Sequence, residues 1–214
     1  MNPSKPFAII FNGPPGSGKD YICKELVATD EPVFHKEFKH RLYMLTMNIY
    51  GISPDVFWEI YNDREMKEKP LDVFGGLSAR QAMIKVSEEC IKPAFGKDYF
   101  GLAAANSMMP GMNVFSDGGF LEEIELVYDA TKGQMLIIRL YSPGCDFSSD
   151  SRSYIQQFKD VPIVDVYNDM TSQFENSCIE AIMKHVRKQP DGNYQLSAKN
   201  PVLQVREDVK DYKG

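Results

Sequence analysis

Residues Ile9–Leu26 read IIFNGPPGSGKDYICKEL, and the fold turns on this stretch. The run FAIIFN (Phe7–Asn12) is continuously apolar and stops at a glycine- and proline-rich turn, as a strand covered on both faces does. Past the turn, DYICKELVAT sets Ile22 and Leu26 four residues apart, the interval that buries one stripe of a helix. Between the two lie Gly13, four residues, Gly18 and Lys19, which fulfil the pattern G-x-x-x-x-G-K. Its glycines let the backbone curl so that successive N–H groups point into one concavity. The helix that follows adds its positive end, and Lys19 supplies a full charge for β- and γ-phosphates. Gly13, Pro14, Pro15, Gly16, Ser17, Gly18, Lys19 and Asp20 are therefore expected to cradle the phosphates of ATP.

Asp20 stands where such loops usually carry a hydroxyl. A carboxylate facing phosphate directly is repelled, so Mg²⁺ or its water shell is expected between them. Mg²⁺ keeps several waters and is held by one or two carboxylates plus substrate phosphates. The second candidate is Asp117, after the short apolar strand in MNVFSDGGF. A strand-end acid can orient such a metal, while Asp-Gly-Gly is equally turn and helix-cap chemistry. Both readings of Asp117 stay open.

Outward from the loop, the chain alternates strands and helices. VFHKEFKHRLYMLTMNIYGI reads as one helix with Leu42, Leu45 and Ile49 on its buried side, and NDREMKEKPLDVFGG as a solvated helix end and loop. SARQAMIKVSEECIKPAFG opens with Ser78, an N-cap residue, carries Met83, Val86, Cys90 and Ile91 at helical intervals, and should end or kink at Pro93. KDYFGLAAANSMM is a further helix, and another runs from about Phe120 to Tyr128. QMLIIRLY and VPIVDVYN are buried strands. Ser172 and Glu175 have capping-box spacing, with Phe174, Cys178 and Ile182 following every four residues. This order predicts an α/β fold, a parallel sheet flanked by helices. SPGCDFSSDSRSYIQQFKD has the small, polar composition of a mobile flap, placed at about 143–160. From about Gln189 the chain is polar, with NPVLQV a candidate edge strand.

Composition sets the limits. A chain of 214 residues with 43% apolar content buries one substantial core. Lysine and arginine number 24 against 30 acids, a net charge of −6, which does not favour non-specific nucleic-acid or membrane binding. Cys23, Cys90, Cys145 and Cys178 lack zinc spacing; Cys90 and Cys178 are expected to be buried thiols. No signal-like run or stretch of about 20 apolar residues is present, so the expected location is the cytoplasm.

The motifs resemble, in order, those of the bacteriophage-type deoxynucleoside monophosphate kinases, within the P-loop nucleoside monophosphate kinases. The likeness runs from about Phe7 to Val186. It rests on GPPGSGKD and on FKHRLYMLTMNIYGI, with Lys39 at that family's helix lysine. DREMKEKP follows (Arg64, Lys67, Glu68), then SARQAM (Ser78, Arg80, Gln81, Met83). VFSDGGFLEEIELV (Asp117, Phe120, Glu123) and VYNDMTSQFENSCIEAI complete it. Departures are Gly119 in place of the family's arginine after the strand-end acid, Ala79 in place of its proline, and a flap matching no clear family pattern.

What the resemblance implies is a kinase domain over 1–188 with a polar extension at 189–214, transferring the γ-phosphoryl group of ATP, with Mg²⁺, to a deoxynucleoside 5′-monophosphate. An anionic phosphate acceptor needs no base, so catalysis is positioning and charge neutralisation. Lys19, Arg80, Asp117 and Arg152 are the catalytic candidates. Lys39, Arg64, Lys67, Arg80 and Gln81 face the acceptor, and Asp20 and Asp117 serve the metal. Several residues keep two readings. Arg64, like Arg41, also reads as a surface charge; Arg152 either closes over the phosphoryl group or is a solvated loop charge. Arg139, in an apolar strand, either reaches phosphate or pairs with an acid such as Asp165. Tyr43, Phe57, Trp58 and Tyr61 have helical spacing that favours core over base stacking, and the three histidines are expected bystanders. Neither nucleic acid nor membrane is an expected partner, and monomer and homodimer both remain open. The alternatives are a P-loop kinase of another small metabolite, such as a coenzyme precursor or sugar acid, and a nucleotide-binding switch. Against the switch, no guanine-reading N-K-x-D segment is in place; AKNP lies in the polar tail.

Overall fold

A computed structural model describes residues 5–29, 32–148 and 150–197. In chain order it contains β1 (Pro6–Asn12), α1 (Lys19–Val27), β2 (Val33–Lys36), α2 (His40–Tyr50), α3 (Pro54–Asn62), α4 (Arg64–Glu68) and α5 (Ala79–Lys85). A π-helical turn (Val86–Ile91), α6 (Lys92–Phe95), α7 (Tyr99–Asn106), β3 (Gly111–Phe115), α8 (Leu121–Thr131) and β4 (Met135–Tyr141) follow. The chain continues through β5 (Ile163–Tyr167), α9 (Gln173–His185), β6 (Val186–Lys188) and β7 (Tyr194–Leu196).

The fold class is α/β. Five parallel strands lie in the order β2-β3-β1-β4-β5, with Ile9 of β1 between Val114 and Leu136. Alternation along β1 divides the core. Phe7, Ile9 and Phe11 meet Ile22 and Leu26 of α1 and Phe174, Cys178 and Ile182 of α9 on one face. Ala8 and Ile10 meet Ile124 and Val127 of α8, with Ile155 and Phe158, on the other. Phe11 is fully buried, and truncation to alanine should cost about 3–5 kcal/mol. The chain leaves β1 on one face and the neighbouring β3 on the other. Such a reversal opens a crevice outside the carboxyl ends of these two strands.

A third apolar cluster stands apart from the sheet. It joins Leu42 and Met47 of α2, Phe57 of α3, Phe74, Met83 of α5, Ile91 and Phe100. The helices between β2 and β3 thus build a separate cap.

Four expectations change. VFHK is a strand rather than the start of a helix: β2 pairs with β3 alone, and a four-residue edge strand running straight into a helix has too little alternation to show itself. The buried stripe of α2 is Leu42, Tyr43, Thr46 and Met47, leaving Ile49 52% exposed. Cys178 is buried as expected, but Cys90 is exposed. Val86 and Ile91, five residues apart, both face the core; on an α-helix they would diverge by about 140°. The wider π turn re-aligns them and swings Cys90 outward, just before Pro93, which has no N–H to continue an α-helical ladder. Ser172 begins α9 without a side-chain cap; the hydroxyl of Thr171 accepts the Gln173 N–H instead.

The polar stretch after α9 contains an antiparallel hairpin, β6–β7, whose Tyr194 reaches the α1/α9 core. The edge strand expected at NPVLQV lies outside the described residues. No described helix is long and apolar enough to cross a membrane.

Candidate active site

The expected phosphate loop joins β1 to α1 at the mouth of the crevice. Gly16 (φ 84°) and Gly18 (φ 97°) take left-handed conformations, which glycine adopts without a Cβ penalty. A Cβ on Gly18 would also lie 2.7 Å from Asn168 Nδ2 and 2.9 Å from Phe174 Cε1. Buried Asn168, just past β5, donates to the Ser17 carbonyl at 3.2 Å and accepts the Met170 N–H at 2.9 Å. The loop's outer shape is thereby held from the sheet. The N–H groups of Gly16, Gly18, Lys19 and Asp20 donate to no acceptor among the described residues. They are the donors an anion would meet.

Lys19 is buried, and its ammonium donates to the carbonyls of Gly13 (2.8 Å) and Pro14 (2.7 Å). Burial, followed by the charge of Arg152, brings its pKa down to about 8. Asp20 is exposed in the first turn of α1. Asp117, 8% exposed, accepts the N–H of Phe38 at 2.8 Å and of Lys39 at 3.0 Å. It therefore braces the start of α2. It does not cap its own helix, since α8 begins at Phe120 with no side-chain cap.

No group of three or more histidine, cysteine or acidic side chains among the described residues could hold a metal ion by itself. Mg²⁺ with substrate phosphates needs only one or two carboxylates. The donor set fits that ion: Asp20 has no hydrogen-bond partner among the described residues, and each Asp117 oxygen retains one acceptor position after its N–H bond.

Of the four cations expected on the acceptor side, Lys39, Lys67 and Arg80 lie within electrostatic reach of one another. Lys39, at the start of α2, lies within electrostatic reach of Arg152, Asp117, Asp150 and Arg80; burial is the largest cause of its lowered pKa. Lys67 of α4 sits with Nζ 3.6 Å from the Tyr61 ring centroid. Burial, then Arg80 and Lys39, bring it down to about 8. Arg80, in the first turn of α5, is largely exposed and pairs with Glu68 at 2.7 Å. Gln81 completes a capping box with Ser78, its carbonyl accepting the Ser78 N–H at 2.9 Å. Arg64 is exposed and enters no hydrogen bond or ion pair among the described residues. Tyr43, Phe57, Trp58 and Tyr61 pack ring against ring, with the Tyr43 and Tyr61 hydroxyls 3.1 Å apart.

Arg139 turns to Asp165, directly across the β4–β5 register, with Nε–Oδ1 at 2.6 Å and Nη2–Oδ2 at 2.8 Å. Arg152, its side chain 10% exposed, meets Asp150 through Nε (2.9 Å) and Nη2 (2.6 Å) and the Asp117 carbonyl through Nη1 (2.9 Å). His35 bonds Ser116, and His185 bonds the Ala181 carbonyl.

Three further residues belong to this crevice. Glu37 follows β2, where burial and then the charges of Asp117 and Asp20 push its carboxyl up to about 7; in sequence it sits in what reads as a helix. Asp150 precedes Arg152 by two residues, a spacing that hints at a pair. Asn12 ends β1 and is completely buried; its only sequence signal is a polar residue closing an apolar run.

No protein-family model matches the chain, and no curated protein does. Among solved structures it is similar to a protein of Chloroflexus aurantiacus provisionally named a kinase. That match has 12% identity and a TM-score of 0.43, and covers 85% of this chain and 96% of that one. It is also similar to TT1252 of Thermus thermophilus, with 13% identity, a TM-score of 0.43, and coverage of 84% and 97%. A gluconokinase of Sinorhizobium meliloti has 11% identity, a TM-score of 0.40, and coverage of 84% and 93%. The fold class rests on strand order and register rather than on these likenesses.

Proposed function

We propose that the protein is an ATP- and Mg²⁺-dependent phosphotransferase whose acceptor is a deoxynucleoside 5′-monophosphate. One observation carries this reading. From the phosphate loop to the helical cap runs a chain of cations, Lys19, Arg152, Lys39, Arg80 and Lys67, each within electrostatic reach of the next. Burial first, and then the neighbouring cations, depress the three lysines, so an anion at either end would favour their charged forms. One end suits the triphosphate of a donor, the other the phosphate of an acceptor.

In the reaction, the loop N–H groups and Lys19 would hold the donor's terminal phosphates. Lys39, Lys67 and Arg80 would bring the acceptor phosphate in line with them, and Asp20 and Asp117 would hold Mg²⁺. The metal supplies charge neutralisation of the phosphoryl oxygens. The aromatic cap above Lys67 would exclude water from the transfer. A coupled ADP-release assay with a panel of deoxynucleoside and ribonucleoside monophosphates tests the assignment. Monophosphate-dependent turnover well above the acceptor-free rate is the expected result; an acceptor-independent rate would point to the switch.

A second reading, a kinase of a hydroxyl-bearing metabolite, is favoured by Glu37. A hydroxyl acceptor must lose a proton, and a buried carboxyl with pKa about 7 is poised to take it. Sugar acids and coenzyme precursors therefore belong in the same panel. If one is the substrate, Glu37→Gln should abolish a rate step near pH 7. A phosphate acceptor needs no base, and its turnover should survive that substitution.

A further inference from the structure

The Asn12 carboxamide, at the end of β1, bonds three backbone groups from two other segments. Its Nδ2 donates to the carbonyls of Gly118 (3.2 Å) and Ser153 (3.1 Å), and its Oδ1 accepts the N–H of Ile155 (2.9 Å). These partners follow Arg152 by one and three residues on one segment and adjoin Asp117 on the other. Ile155 and Phe158 then anchor the arginine's segment in the α8-side core.

Arg152 itself is held on three sides. Asp150 takes Nε–H and one Nη2–H, and the Asp117 carbonyl takes one Nη1–H. A guanidinium has five N–H donors, so among the described residues one on Nη1 and one on Nη2 have no acceptor. Its stem lies in a notch made by Gly119: a Cβ there would stand 2.6 Å from Arg152 Cδ and 2.8 Å from Cγ. Asp150 is held at about 2, because hydrogen bonds and charge from Arg152 outweigh burial. The pair is therefore ionised at any working pH. Arg152 and Lys19 sense each other's charge.

We propose that Asn12 and Asp150 are positioning residues that keep the Arg152 guanidinium preset beside the phosphate loop, its two remaining N–H groups available to a donor phosphate. The strand that bears the loop thus also fixes the arginine, so the cation need not be carried in by closure of a lid. A group already in place loses little freedom when the phosphate arrives. This inference rests on the phosphotransfer reading for its catalytic consequence, but its geometry can be tested on nucleotide binding alone.

The experiment is a double-mutant cycle on the full chain, with Asp150→Ala, Arg152→Ala and the double variant. The ATP dissociation constant is read by calorimetry without acceptor, and kcat with it. Arg152→Ala should weaken ATP binding several-fold and lower kcat on the order of 10²-fold. Asp150→Ala alone should lose about tenfold in kcat, and the double variant should match Arg152→Ala. Asp150→Asn substitutes if the alanine variant does not fold. Hydrogen exchange on the nucleotide-free protein should show the Ile155 amide protected, and exposed in Asn12→Ala or Asn12→Ser. Independent, multiplicative effects of Asp150 and Arg152, or an Ile155 amide unprotected until ATP binds, would overturn the proposal. Coupling in ATP affinity without turnover of any acceptor would leave the brace standing and remove the phosphotransfer reading. Wild-type protein that fails to bind ATP would remove both.

Discussion

The carboxylate of Asp117 accepts the backbone N–H of Lys39 at 3.0 Å, so the acid at the end of β3 directly secures the first turn of α2. This bond joins the two halves of the crevice: Asp117 sits beside the phosphate loop, and Lys39 begins the helical cap. A negative group is favourable at a helix start, where N–H groups lack partners. Its two bonds, to Phe38 and Lys39, give Asp117 a structural task in addition to the proposed metal role.

The two tasks separate by substitution. Asp117→Asn places an amide N–H against a backbone N–H at one of the two positions, and should cost about 1–3 kcal/mol of stability in urea unfolding. Asp20→Asn breaks no hydrogen bond and should leave stability within about 0.5 kcal/mol. If both carboxylates serve Mg²⁺, each variant should need more Mg²⁺ for half-maximal activity. An unchanged requirement in Asp20→Asn would show that this carboxylate is merely tolerated after Lys19.

Lys19→Ala should slow turnover by roughly two or more orders of magnitude, the scale for losing a preorganised charge stabiliser. Its pKa of about 8 also predicts a proton linkage. In the free protein the unfolded chain binds more protons than the folded one between about pH 8 and the ordinary lysine range. This group's effect is therefore stability that rises with pH across that window. Phosphate beside the ammonium should raise the pKa again, so ATP binding near pH 8 should take up protons. Calorimetry in buffers of different ionisation enthalpy measures this uptake, and Lys19→Ala should diminish it.

Arg80 has one side engaged by Glu68 on an exposed surface, a pair worth little by itself. Arg80→Lys keeps the charge but loses the two-point fork that matches phosphate. It should raise the acceptor's KM several-fold while barely changing that of ATP. Steady-state kinetics with each substrate varied decides this; a selective loss in ATP would place Arg80 with the donor instead.

Arg139→Met tests the ion pair across β4 and β5. Asp165 would lose both of its charge-assisted bonds while remaining about three-quarters covered, so a loss of about 1–3 kcal/mol is expected. Adding Asp165→Val should recover most of it, because an apolar pair leaves no stranded charge. A drop in turnover with stability intact would instead make Arg139 a phosphate ligand.

The readable parts of this protein are those in which local chemistry and tertiary role coincide. The turn between β1 and α1 takes positive φ at Gly16 and Gly18, and both glycines are conspicuous in any reading. The runs at β1 and β4 are apolar on both faces because helices cover both. Ser78 and Gln81 form their capping box within a single turn.

Elsewhere the deciding partner is distant in sequence. The strand β2 exists because β3 offers it a ladder, and Cys90 is exposed because a π turn lets both Val86 and Ile91 reach the cap's core. Arg139 could be read two ways until Asp165 was brought opposite it by the strand register.

By itself, then, the sequence determined a glycine-rich turn between a buried strand and a helix, and the alternation that makes a parallel sheet. Both follow from backbone freedom and apolar periodicity within a few consecutive residues. Only the tertiary structure decided that Asn12 reaches Ser153 and Ile155 across 141 and 143 residues, that Asp117 holds α2 rather than α8, and that Arg152 fills the notch at Gly119. A buried polar side chain takes whichever partners the folded chain brings within hydrogen-bond distance, and no local pattern carries that information.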